Sequence, residues 1–246
     1  MQNSVIAKVS DRVHLEGFFD KISQVGRDHL DRMTELLADH KISKSALFSW
    51  ARENRAYPLM CGFSQEMIVY NFQDSGLEVR PFTSDSIGES PFRHCAAVVP
   101  IKIDGESSPR TFMIDLTFQQ FALPADLYPE FGLRDIFERK SPFRTLRQTQ
   151  EGRELWNNLA QKGYFEVTKD TASLYVGSLF PRTVISPDKA LHCLENPAYH
   201  ATNLQHGRSR LQEMHCLDIP VAELLKLSGS GAGAKTYDSL PINSSI

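Results

Sequence analysis

Two apolar runs flank a polar turn: HCAAVVPIKI (94–103), DGESSPR (104–110) and TFMIDL (111–116). No other stretch limits the possible folds of this chain so strongly. β-Branched and aromatic residues fill both runs, and the middle segment is built from turn formers, so the pattern predicts an antiparallel hairpin. The hairpin carries one misfit. Asp115 stands between Ile114 and Leu116, where a carboxylate is costly unless a charge or donor meets it. Either Asp115 ends its strand and faces water, or the chain supplies a partner.

The surroundings read as helices. In 15–37, Leu15, Phe18, Phe19, Ile22, Val25, Leu30, Met33, Leu36 and Leu37 recur near the helical period, and Ser43 can cap a further short helix. Pro58 interrupts this pattern, because the residue before a proline avoids helical geometry. A helix is predicted from Cys61 to near Gly76, then a strand over LEVRPFTS. Beyond the central hairpin, 122–138 reads as loop with a short helix and TQEGRELWNNLAQKG as a helix ending at Gly163. YFEVTKDTASLYVGSLF suggests a second hairpin turning at Lys169-Asp170. Two helical stretches follow, one starting at Ser186-Pro187 and one interrupted by Pro220. The small, polar 228–246 reads as a flexible tail.

With 246 residues and 41% hydrophobic content, the chain can bury a sizeable core. A net charge of −3 and the interleaving of acidic residues through the basic stretch 134–153 give no nucleic-acid footprint. No run is apolar enough for stable membrane insertion, and the amino terminus lacks the apolar core of a secretory signal. The expectation is synthesis in the cytoplasm, with export by a specialised secretion system left open. The four cysteines are widely spaced, so reduced thiols are expected.

Two residues converge on the misfit aspartate. Cys61 starts a predicted helix, where the dipole and unpaired N–H groups favour thiolate. His94 opens the first strand of the hairpin, and Asp115 closes the second, so the open end of the hairpin makes them neighbours. An imidazole takes a thiol's proton, and a carboxylate orients the ring and stabilises its charged form. Cys95 is a rival nucleophile, expected on the opposite face of its strand from His94. Oxyanion candidates are the Cys61 N–H with a side-chain amide, Asn54 or Gln65. Gln119 or Gln120 can pack under the site. The plainer readings are a buried small cysteine, a strand-end histidine and a turn-capping aspartate.

Cysteine, helix, strand with histidine, strand with aspartate: this order resembles the core of the papain-like and transglutaminase-like superfamily. The stretch Ile114-Asp115-Leu116-Thr117-Phe118-Gln119-Gln120-Phe121 is similar to the I-D-x-T…Q-F segment of bacterial effector and toxin glutamine deamidases. The resemblance spans 57–121 and implies a thiol hydrolase that deamidates a glutamine in a protein substrate, delivered into a host cell. Cysteine protease and transglutaminase are alternatives on the same fold, and a non-catalytic interaction module is an alternative of another class. The implied fold is α+β: a papain-like core, with the nucleophile helix on an antiparallel sheet and extra helices at both ends. It forms a single domain over 1–227, with a helical segment over 1–56, a core over 57–180 and a second helical segment over 181–227.

No cofactor is expected. His192, Cys193, His200, His206, His215 and Cys216 invite a zinc reading but lack tight ligand spacing, so no metal site is assigned. His192 and His206 are alternative bases for Cys61. Phosphate-cradling glycine motifs and the GxSxG elbow are absent.

Overall fold

The computed structural model describes residues 4–37, 46–58, 60–88, 92–122, 127, 141–180, 183–197 and 207–229. Ser43, most of the loop 122–138, His200, His206 and the tail from 230 onward lie outside them.

The predicted hairpin is the centre of the sheet. Strand β3 (Cys95–Ile103) pairs antiparallel with β4 (Arg110–Ile114), placing Ala97 opposite Ile114 and Ile101 opposite Arg110. On its other edge β3 pairs with two short strands end to end. Strand β2 (Arg80–Thr83) runs antiparallel, with Thr83 opposite Cys95, and β1 (Ala7–Val9) runs parallel, with Ala7 opposite Ile101. Strand β5 (Tyr164–Glu166) completes the sheet beside β4. The architecture is α+β, but the sheet is mixed rather than antiparallel, and the amino-terminal segment contributes a strand before its first helix. A three-residue strand carries too short a pattern to be recognised in sequence.

The near-continuous apolar character of β3 follows from burial on both faces. Ala97, Val99, Ile101 and Ile103 pack against helix α1 (Arg12–Leu37) and helix α3 (Cys61–Asp74), with Phe18, Phe19, Ile22, Met67, Ile68 and Phe72. Ala96 and Val98 face the opposite cluster, with Phe82, Met113, Phe118, Phe165 and Tyr175. Each large side chain buried there contributes about 1.5–3 kcal/mol. Short helix α2 (Ala46–Asn54) lies between α1 and α3 in the chain.

The second hairpin does not form. Glu166 is the last residue of β5, and Lys169–Leu179 is a helix. Two short helices precede it, α4 (Pro142–Leu146) and α5 (Gln150–Gln161), so it is α6. A capping box starts α6: the Thr168 hydroxyl accepts from the Thr171 N–H, while the Thr171 hydroxyl accepts from the Thr168 N–H. Ala172, Tyr175, Val176 and Leu179 then fall on one buried face. The helical spacing outweighs the β propensity of Tyr and Val. Helices α7 (Pro187–Glu195), α8 (Arg208–Glu213) and α9 (Val221–Gly229) follow, the last directly after Pro220. Among the described residues no helix is long and apolar enough to cross a membrane.

Candidate functional site

Asp115 lies one residue beyond β4 and is 2% exposed. Its backbone N–H donates to Gly163 O at 2.8 Å, which fixes the chain as it leaves the sheet. The carboxylate accepts four hydrogen bonds. Oδ2 receives His94 Nε2 at 2.7 Å and the Tyr175 hydroxyl at 2.8 Å; Oδ1 receives the Thr117 N–H at 3.2 Å and Thr117 Oγ1 at 3.3 Å. A buried carboxylate is tolerable when its lone pairs are met in this way.

His94, fully buried, immediately precedes β3. Ser84 holds its backbone on both sides: the Ser84 N–H donates to His94 O at 2.9 Å, and the His94 N–H donates to Ser84 Oγ at 3.0 Å. The ring stands edge-on to Phe118 and Phe121, with centroids 5.7 and 5.0 Å away. With Nε2 directed at Asp115, Nδ1 is left for the other side of the site. The Gln120 amide lies 3.2 Å from Nδ1.

Cys61 is the first residue of α3, and Met60 ahead of it makes no side-chain cap, so no capping side chain covers the helix start. The Cys61 sulfur faces Cys95 and His94, and the Cys95 thiol, the His94 ring and the Cys95 backbone N–H all favour its thiolate. Together these hold the Cys61 thiol well below its ordinary range, with the Cys95 contact leading, against burial that would raise it. For His94, burial acts to lower the pKa. Asp115 and Cys61 outweigh it and raise the ring to about 10. Both directions favour the thiolate–imidazolium form of the pair over thiol and neutral ring. Cys95 is pushed the opposite way, first by its hydrogen bond to Cys61 and then by burial, so it stays a thiol. Burial and Asp115 raise Tyr175 likewise and keep it a donor.

The structure thus brings Cys61, His94 and Asp115 together. The two amide candidates lie elsewhere. Asn54 Nδ2 donates to Trp50 O within its own exposed helix at 2.8 Å. Gln65 is buried one turn into α3, where its Nε2 donates to Phe82 O and to Ala96 O, the latter at 2.8 Å. It stitches the helix to β2 and β3, with no N–H left for an oxyanion. Cys95 still borders the site, because His94 faces the Phe118 and Tyr175 side while Cys61 comes from the α3 side, where Ala97 and Val99 also pack. Gln119 donates to Ala160 O at 2.6 Å, leaving Gln120 as the amide at the ring. The ring beside Cys61 is that of His94, whereas His192 lies on α7. Among the described residues no group of three or more His, Cys, Asp or Glu can hold a metal ion.

Sequence reading misses Ser84 and Tyr175, and names Thr117 only as part of the I-D-x-T stretch, with no role. Thr117 carries a local signal, since a threonine two residues after an aspartate can bond back to it. Tyr175 carries none, because the sequence around it reads as strand. No protein-family model matches the chain, and neither a curated protein nor a solved structure matches it.

Proposed function

We propose that the protein is a thiol-dependent amide hydrolase with a papain-like core, most simply a deamidase of glutamine side chains in a protein substrate. One observation carries the reading: the buried His94 ring, with Nε2 2.7 Å from the buried Asp115 carboxylate, stands beside Cys61 and favours its thiolate. Cys61 attacks the amide carbonyl, and the tetrahedral oxyanion rests on the Cys61 N–H at the uncapped start of α3. His94 gives its proton to the leaving nitrogen, which departs as ammonia. The neutral ring then takes a proton from water, hydroxide attacks the thioester, and Cys61 leaves as thiolate. Asp115 keeps the ring oriented throughout.

Preference for a side-chain amide follows from access. His94 and Asp115 are buried, and Cys61 is only partly exposed. A carboxamide at the end of a flexible side chain reaches such a sulfur with less clearance than a continuous backbone needs. The test pairs two measurements. Alkylation of Cys61 is followed from pH 5 to 9 in the wild type and His94→Ala, and ammonia release from glutamine-bearing proteins is compared with Cys61→Ala. Rapid alkylation at pH 6 that slows in His94→Ala, with ammonia release lost in Cys61→Ala, is the expected result. Alkylation rising only near the ordinary thiol pKa of about 8.5, unchanged by the mutation, would refute a thiolate nucleophile. The non-catalytic interaction module would then replace the enzyme.

A further inference from the structure

Cys95 transfers no proton and attacks nothing in the amide chemistry, yet it stands beside Cys61: Gln65, one turn into the helix that Cys61 starts, donates to Ala96 O at 2.8 Å, next to Cys95, and the Cys95 thiol favours the Cys61 thiolate. The two residues start α3 and β3, and each is partly exposed. The other thiols differ: Cys216 is buried, with its S–H donated to Met214 O at 3.2 Å, and Cys193 stands on α7. Two neighbouring cysteines, each partly exposed and one of them read as a thiolate, form the arrangement in which an oxidised sulfur is resolved by its neighbour.

We propose that Cys61 and Cys95 form a reversible disulfide on exposure to a peroxide, which switches the nucleophile off. The inference rests on the reading of Cys61 as a thiolate. In the first step the Cys61 sulfur attacks a peroxide oxygen. An S–O bond forms, the O–O bond breaks, and the leaving alkoxide or hydroxide takes the proton from His94. Cys61 sulfur is oxidised by two electrons to the sulfenic acid, and the peroxide is reduced to alcohol or water. Oxidation also removes the negative charge that kept Cys95 protonated. Cys95 sulfur then attacks Cys61 sulfur, the S–S bond forms, the S–O bond breaks, and hydroxide leaves with the Cys95 proton as water. A dithiol reductant restores both thiols.

The experiment treats the full, reduced chain with equimolar hydrogen peroxide and maps peptides without reduction. The expected product is one species joining the Cys61 and Cys95 peptides, lighter than their sum by two hydrogens. Loss of Cys61 alkylation should match its yield, dithiothreitol should reverse it, and Cys216 should be unchanged. In Cys95→Ala, dimedone should trap a Cys61 sulfenic acid that otherwise proceeds to the sulfinic acid. Rapid alkylation of Cys61 before treatment, followed by sulfinic acid in the wild type with Cys95 still free, would overturn the disulfide and leave the thiolate intact. A Cys61 inert to both peroxide and alkylation at neutral pH would overturn both together.

Discussion

At the scale of single residues, Asp115 decides how the site behaves. The His94 imidazolium it holds has a pKa raised from 6.5 to about 10, so His94 contributes stability that is fully present below 6.5. That contribution is lost as pH rises through about 10. The urea-midpoint difference between wild type and His94→Ala should therefore be constant at acid pH and shrink on the alkaline side; a difference that grows with pH would mean a neutral buried ring. Tyr175→Phe removes the second donor to Oδ2 and keeps the ring in its cluster. It should cost about 1–3 kcal/mol, checked by equilibrium unfolding. The misfit of Asp115 is visible in the sequence because a carboxylate in an apolar run demands an explanation. Its partner His94 is visible because hairpin register is nearly local. Tyr175 is not, since 60 residues separate it from Asp115 and only tertiary packing joins them.

Elements set the site through a few polar stitches. Gln65 ties α3 to two strands through carbonyls at Phe82 and Ala96, so Gln65→Leu would strand both in the interior. The expected cost is about 2–4 kcal/mol, with slower Cys61 alkylation because the helix start moves relative to β3. Gly163 sits at φ +76°, and a Cβ there would lie 2.8 Å from Leu116 Cδ2, beside the residue whose N–H its carbonyl binds. Gly163→Ala should destabilise by at least about 1 kcal/mol and reduce alkylation, because the strain is applied to the Asp115 turn. Helix α3 and the central hairpin are legible since each has a strong periodic or turn signal. Strand β1 and helix α6 are not: the first is too short, and the second is β-rich in composition but helical in spacing.

For the whole molecule, the carboxy-terminal segment closes the α1–α3 side of the core. Asn71, 2% exposed, donates to Cys216 O at 2.9 Å and accepts from the Ile219 N–H at 2.9 Å. Glu66 accepts from the Gly207 N–H at 3.0 Å, and His14 Nε2 meets Leu225 O at 2.5 Å. Asn71→Leu should release this segment first, seen as faster amide exchange over 207–229 before the rest of the chain loosens. The sheet divides the interior into two compartments, and the site lies at the rim where they meet. Cys61 comes from the side of α1 and α3, and Tyr175 from the side of α6. On the reading proposed above, a chain that has assembled only one compartment carries an ordinary thiol. If Cys61 is the thiolate proposed above, its activation needs both compartments in place, so a nascent or damaged copy would be chemically quiet.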